Sequence, residues 1–212
     1  MKSVAFMPRK PTLTRAEFRD YYETRHFPLA MRHFPFRKYV RSHLCEPDAV
    51  SSFDCYSEFW VDDFAPVRAL LAGPVGRIMR EDEHNFTDQP RIASALAEEF
   101  LLCGEGRFTE EDGVARTLHL LRLPEISSAH DALRQCISVW DRELFLRATL
   151  DFLRPFWPGV VLQANAVLSV WPSDSSGAGS LALPLVPDRW TCLATVQCRT
   201  QENAQPMKQH GS

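Results

Sequence analysis

Within the first hundred residues, apolar patterns of period two and of helical period follow one another in the order β-α-β-β-α-β, which restricts the chain to a small set of folds. Ser3 to Met7 reads as a short apolar strand, ended by the turn Pro8-Arg9-Lys10-Pro11. Thr14 followed three residues later by Glu17 is a capping box, in which hydroxyl and carboxylate reciprocally satisfy backbone donors at a helix start. The spacing predicts a helix from Thr14 to about Met31, with Phe18, Tyr22, His26 and Leu29 stacked at intervals of four, four and three along one buried stripe. A histidine on that stripe is either a hydrogen-bonded core residue or a working acid/base.

Two alternating strands come next. In Phe36 to Cys45, the residues Tyr39, Arg41, His43 and Cys45 share a face; in Phe53 to Val61, Tyr56, Glu58 and Trp60 share one and Cys55, Ser57, Phe59 and Val61 the other. These strands are expected to form a hairpin. A helical region from Pro66 pauses at Gly73-Pro74 and resumes to about His84, and Ala97 to Cys103 makes a last strand.

This is the order of a ferredoxin-like sheet with two helices on one face, which leaves the other face bare. A bare apolar face must be covered, commonly by a second copy of the domain. Here the chain runs on for about a hundred residues more, so the expected fold class is α+β, with two tandem ferredoxin-like halves forming an intramolecular dimeric α/β barrel. The expected divisions are a first domain at 1–104, ending near Gly104-Glu105-Gly106, a degenerate repeat at 105–200 and a disordered tail at 201–212. In the second half, Val114 to Leu123 reads as a strand, Ser127 to about Val139 and Trp140 to about Leu153 as helices, and Gly159 to Val170 as a long strand. The Ser-, Gly- and Pro-rich stretch Pro172 to Pro187 stands where a second helix would be, and Trp190 to Arg199 closes the series.

Composition narrows the partners. A net charge of -3 with no basic block argues against nucleic acid and anionic membrane surfaces, and no apolar run is long enough to span a bilayer. A cytoplasmic protein is expected. Six cysteines show no CxxC pair and no histidine at zinc-ligand spacing, so they read as reduced buried thiols, with no metal site expected. No Gly-rich loop leads from a strand into a helix, so no nucleotide cofactor is indicated.

The first hundred residues also resemble the EthD family of the dimeric α/β-barrel superfamily. The resemblance is carried by Arg9-Lys10-Pro11, by the helix Glu17-Phe18 through Tyr22 to His26 and Pro28, and by the strand with Tyr39 and His43. The strand Asp54 to Val61 with Glu58 and Trp60, and Glu81-Asp82-Glu83 with Phe86 and Asp88, complete it. The second half shows neither the His26 helix pattern nor the Glu58-Phe59-Trp60 strand pattern. The resemblance implies a cavity between a sheet and its helices, or in a shared lumen. It also implies activities ranging over cyclases, decarboxylases, isomerases and cofactor-free monooxygenases acting on small aromatic or polyketide-like molecules.

On this reading the protein is a cofactor-independent acid/base enzyme, a cyclase, dehydratase, isomerase or decarboxylase of a small carbonyl or phenolic compound. A non-catalytic hydrophobic binding or accessory protein and a cofactor-free monooxygenase are the alternatives. His26 or His43 is the expected acid/base, because imidazole titrates near neutrality. Tyr39 and His43, four apart on a strand, face the same way, and Glu58 on the neighbouring strand is expected to orient or deprotonate across the hairpin. Tyr39 would steady a developing enolate, and Phe18, Tyr22, Tyr56, Trp60 and Phe86 would wall the substrate. Arg25, Arg32, Arg37 and Arg41 flank these positions and read mainly as solvated surface. The run Glu81-Asp82-Glu83-His84 reads as a helix-surface charge cluster. Further homodimerisation is left open.

Overall fold

A computed structural model describes residues 1–45, 52–104, 114–124, 131, 134, 145–172 and 190–204. The first half contains β1 (Lys2–Met7), α1 (Arg15–Tyr21), a π-helical turn (Tyr22–His26), α2 (Phe27–His33), β2 (Lys38–Leu44), β3 (Cys55–Trp60), α3 (Phe64–Ala72), α4 (Pro74–Phe86) and β4 (Ala93–Cys103). The second contains β5 (Ala115–Arg122), β6 (Phe145–Pro155), β7 (Ala166–Pro172) and β8 (Thr191–Ala204).

The eight strands close into one antiparallel barrel in the order β1-β3-β2-β8-β5-β7-β6-β4. In the first half the sheet runs β4-β1-β3-β2; in the second it runs β8-β5-β7-β6, the same order of fourth, first, third and second strand. The two seams are reciprocal as well, since β2 pairs with β8 and β4 with β6. Closure removes every free sheet edge, so no row of backbone donors and acceptors is left to solvent.

The capping box at the start of α1 is present: the Thr14 hydroxyl accepts from the Glu17 N–H at 3.2 Å, and the Glu17 carboxylate accepts from the Thr14 N–H at 2.7 Å. Positions four apart drift by about 40° on an α-helix of 3.6 residues per turn. The wider π turn, in which the Phe27 N–H reaches the Tyr22 carbonyl, takes up that drift and returns His26 to the face of Phe18 and Tyr22. Asp63 caps α3 by accepting from the Ala65 N–H at 3.0 Å, and Pro74 opens α4, where its missing N–H has no intrahelical role.

Three apolar clusters result. One fills the space between the helices and the first half's sheet, from Ala5 and Met7 to Phe18, Tyr22, Tyr39, Met79 and Phe86. The second lies on the outward face of the second half, around Leu121, Leu150 and Leu168. The third occupies the barrel interior, with Val4, Phe6, Tyr56, Leu118 and Val196.

The second half departs from the sequence reading in three places. Phe145 to Leu153, expected as the end of a helix, belongs to strand β6: Ala148 and Leu150 are buried in the outward cluster while Thr149, Asp151 and Leu153 alternate with them. Pairing with β4 and β7 overrides the helix-forming character of its Leu, Arg and Ala residues. Residues 159–165 are not strand; the chain turns at Gly159, whose φ of 85° is a conformation that favours glycine, and β7 begins only at Ala166. Gln201 to Ala204, expected to be disordered, continue β8 because β2 offers them a ladder, with Arg41 opposite Gln201 and Val40 opposite Glu202. The expected helix Ser127 to Val139, the stretch after Pro172, Cys136 and the chain beyond Ala204 lie largely or wholly outside the described residues. No described helix is long and apolar enough to cross a membrane.

Candidate functional site

A cavity of about 140 Å³ lies between the helices and the outward face of the first half's sheet. Ser3, Ala5 and Met7 of β1 and Phe59 of β3 form its floor, and Ala30, Val67 and Met79 of the helices its roof. Its polar members are Tyr22, His26, Tyr39, Glu83, Ser3 and Ser94.

His26 is 4% exposed, and its Nδ1 lies 2.8 Å from Asp82 Oδ2. An ionised carboxylate can only accept, so Asp82 fixes the imidazole proton on Nδ1 and leaves Nε2 as the basic nitrogen. Asp82 is itself held by Tyr21, which donates its hydroxyl to Oδ1 at 3.0 Å and accepts from Asn85 Nδ2 at 3.1 Å. Burial and the bond to Asp82 both hold the Tyr21 phenol above its usual range. Glu83, the next residue, stands in the cavity wall, where burial pushes its carboxyl up against the pull of His26. A buried hydroxyl chain runs beneath: Tyr22 Oη is 2.7 Å from Tyr39 Oη and 2.8 Å from Ser57 Oγ. Burial holds both phenols well above their ordinary values, so they remain hydrogen-bond donors at any physiological pH.

The sequence reading placed Asp82 and Glu83 on a solvated helix surface, and the structure corrects this. Met79, Asp82, Glu83 and Phe86 have the spacing i, i+3, i+4, i+7, one face of α4, and Met79 and Phe86 are buried there. That spacing was the available signal. Glu81 and His84 are exposed, as a surface run would be.

Of the expected wall, Tyr22 and Tyr39 line the cavity. Phe18 and Phe86 stand behind it, Phe86 packed on the rings of His26 at 4.9 Å and Tyr22 at 5.3 Å. His43 lies further along β2 and outside the cavity lining. Its Nε2 is 2.7 Å from Glu23 Oε1, and Arg41 holds the same carboxylate at 2.8 Å. Burial lowers the His43 pKa, with Glu23 partly offsetting it. The Glu23 carboxyl is itself held low: burial opposes this, and the bonds from His43 and Arg41 outweigh it. Glu23 went unnoticed in the sequence because it falls one residue off the Phe18-Tyr22-His26 stripe.

Glu58, Tyr56 and Trp60 do not join this site. The hairpin register sets Tyr39 opposite Phe59, Arg41 opposite Ser57 and His43 opposite Cys55, so the face bearing Tyr39 and His43 is the one away from Glu58. Side chains alternate along a strand, and Glu58 therefore points into the barrel. There Lys2 Nζ contacts Glu58 at 2.8 Å, Glu99 at 2.5 Å and Asp151 at 2.8 Å, and Arg116 holds Glu58 at 2.5 Å. Trp60 stacks under the Lys2 and Lys38 ammoniums, at 4.8 and 5.1 Å. Burial alone would raise the Glu58 carboxyl; Arg116 and Lys2 outweigh it and bring it down to about 2. Asp151, pushed by burial and eased by Lys2, rises to about 6. Glu58, Glu99 and Asp151 are also the described carboxylates close enough together to ligate a metal, but the Lys2 ammonium occupies the place a cation would take.

Sequence comparison supports the first half of this picture. Residues 10–90 match the EthD domain. The match spans the helix bearing His26, the hairpin and α4 with Asp82 and Glu83. No curated protein matches the chain in sequence. A solved structure of a provisionally named monooxygenase from Lactobacillus acidophilus NCFM is similar over 96% of this chain and 95% of that one, with a TM-score of 0.54 and 8% identity. That likeness shows a shared fold.

Proposed function

We propose that the EthD-like half is an acid/base enzyme that moves a proton on a small, largely apolar carbonyl or phenolic compound held in the helix-side cavity. The observation that carries this reading is that His26, in the wall of a largely apolar cavity, is paired with the Asp82 carboxylate behind it. In this scheme His26 Nε2 takes the proton, and Asp82 stabilises the imidazolium that forms. Within the Tyr22–Tyr39 pair one hydroxyl donates to the other, and the proton that remains is donated to the oxygen that becomes enolate-like. Glu83, whose carboxyl burial pushes up from its ordinary value, stands in the cavity wall and is placed to return a proton. A cyclisation, dehydration or isomerisation can each be built from these steps. His43 supports the Tyr22 ring from behind through its pairing with Glu23, at a ring distance of 5.5 Å.

The barrel is on this proposal two tandem ferredoxin-like halves, the second a degenerate copy of the first. The repeated strand order and the reciprocal seams support it. The name of the Lactobacillus neighbour favours a second reading, in which the substrate anion formed at His26 reacts with dioxygen.

The test is hydrogen–deuterium exchange at the carbon next to the carbonyl, monitored by NMR in deuterated water over a panel of single-ring ketones. His26→Gln is expected to slow exchange 10²- to 10⁴-fold, the usual worth of a positioned acid/base. Exchange unchanged in a folded His26→Gln protein, or no exchange by the wild type across the panel, overturns the proposal. Substrate-dependent oxygen uptake would decide for the oxygenase reading.

A further inference from the structure

Two of the residues lining the helix-side cavity come from the second half of the chain. Phe156 and Trp157 come directly after β6, cross the seam and close the cavity from the side. Several contacts fix them there. The Phe156 N–H donates to the Ser94 carbonyl at 3.0 Å, and its ring stands edge-on to Phe64 of α3 at 5.5 Å. The Arg68 guanidinium, one turn along α3, lies over both rings, 5.2 Å from Phe156 and 5.6 Å from Trp157. Phe156 is 7% exposed and Trp157 39%, so one ring is packed inside and the other stands at the surface. Beyond them the chain turns at Gly159, and residues 158–161 border a second cleft of about 620 Å³ at the barrel mouth. Ile92 belongs to the walls of both spaces, and the chain passes from the wall of the small cavity at Phe156 and Trp157 directly to the wall of the cleft at Pro158.

We infer that Phe156 and Trp157 are the specificity-determining wall of the cavity and that they limit its ligand to one neutral ring, a monocyclic phenol or ketone. This rests on the cavity being the ligand site proposed above. The size limit comes from volume: about 140 Å³ is close to the roughly 150 Å³ of an apolar cavity known to bind benzene, so a fused second ring would have to reach out past the Phe156–Trp157 wall. The neutrality comes from the lining. Among the described residues no lysine or arginine lines the cavity, so a ligand carboxylate would be buried without a fixed cation beside it. Phenols and simple ketones need only a hydroxyl or imidazole to bond, which Tyr22, Tyr39 and His26 provide. The second half thus sets which molecules reach chemistry carried by the first.

Binding of phenol and of 2-naphthol, measured by titration calorimetry, tests this without requiring turnover. The wild type is expected to bind phenol at least tenfold more tightly than 2-naphthol. Trp157→Ala, at a position exposed enough to leave the fold intact, is expected to abolish that preference by admitting 2-naphthol while changing phenol affinity less than threefold. Phe156→Leu and Arg68→Ala should shift the preference the same way. Equal affinities in the wild type, a size preference unchanged in all three variants, or no binding of either compound overturns the inference. His26→Gln should keep the wild-type size preference, so a failure of the wall and a failure of the acid/base reading give different results.

Discussion

Replacing Asp82 by Asn removes one charge and almost no volume, and the local geometry fixes its effect on the imidazole. Asp82 accepts two bonds, from His26 Nδ1 at 2.8 Å and from the Tyr21 hydroxyl at 3.0 Å. An asparagine has one accepting oxygen to offer them. If that oxygen faces Tyr21, the amide N–H faces Nδ1, which must then carry the lone pair; the ring proton moves to Nε2 and the base is lost. If the oxygen faces His26, the amide N–H meets a Tyr21 oxygen that already accepts from Asn85 at 3.1 Å, and the Tyr21 proton loses its acceptor. The tautomer then survives, but the imidazolium formed in the reaction has no anion beside it. Two unit charges at 2.8 Å and an effective dielectric of about 20 attract by about 6 kcal/mol, an upper figure for a carboxylate that is 13% exposed. Either outcome is consistent with a barrier higher by about 3 to 5 kcal/mol, a 10²- to 10⁴-fold loss at 1.36 kcal/mol per decade. The assay is the exchange rate at saturating ketone, with thermal denaturation beside it, because losing a hydrogen bond to a charged group should lower stability by about 1.5 to 3 kcal/mol. Tyr21→Phe, which keeps the carboxylate, should lose less than tenfold in rate. An Asp82→Asn protein that exchanges within threefold of wild type would refute the idea that this carboxylate holds a working imidazole.

Two further outcomes concern the scaffold. Arg116 and Lys2 hold the Glu58 carboxyl well below an ordinary 4.5, so the stability it contributes is fully present above about pH 4.5 and lost as pH falls toward 2. Glu58→Gln should therefore destabilise by about 3 to 5 kcal/mol in urea at pH 7, where Lys2 and Arg116 lose their shared anion, and by much less at pH 3. Equal losses at both pH values would refute the ionic account. Gly76→Ala would drive a Cβ into the Leu71 carbonyl, forcing α3 and α4 apart; a loss of about 3 kcal/mol, read as a fall of roughly 6 to 12 °C in Tm, is expected, and an unchanged Tm would show that the corner gives way freely.

How far the sequence reached can be judged from particular residues. The α1 capping box and the placement of His26 on a buried face are local matters, settled by neighbours three and four positions away, and both were legible. Which face of the hairpin looks at the helices is not local. Tyr39 and Glu58 are both plausible inward residues until the sheet closes, and only closure against β8 and β5 makes one face a lumen. Glu58 was assigned to the wrong chamber for that reason. Asp82 and Glu83 were missed for the opposite reason: a charge run ordinarily means solvent, and the i, i+3, i+4, i+7 spacing with Met79 and Phe86 was outweighed by it. In the second half, the helix-forming residues of β6 and the polar end of β8 hid strands that exist because a partner strand awaits them.

These two misplacements also explain the division of the molecule. The barrel interior is packed with apolar side chains such as Val4, Phe6 and Leu118, and its charged members include Lys2, Arg116, Glu58, Glu99 and Asp151, holding one another across five strands. Charges committed to each other at such distances are poor reagents, since removing or adding a proton leaves a buried partner uncompensated. The helix-side cavity has the reverse character: an imidazole bonded through Nδ1, a carboxyl that burial pushes up from its ordinary value and phenols held as donors, all beside apolar walls. Ion pairing that spans β1, β3 and β4 of one half and β5 and β6 of the other clamps the halves together. That rigidity is what lets Phe156 and Trp157, on a segment of the second half, hold a fixed wall against a site built from the first.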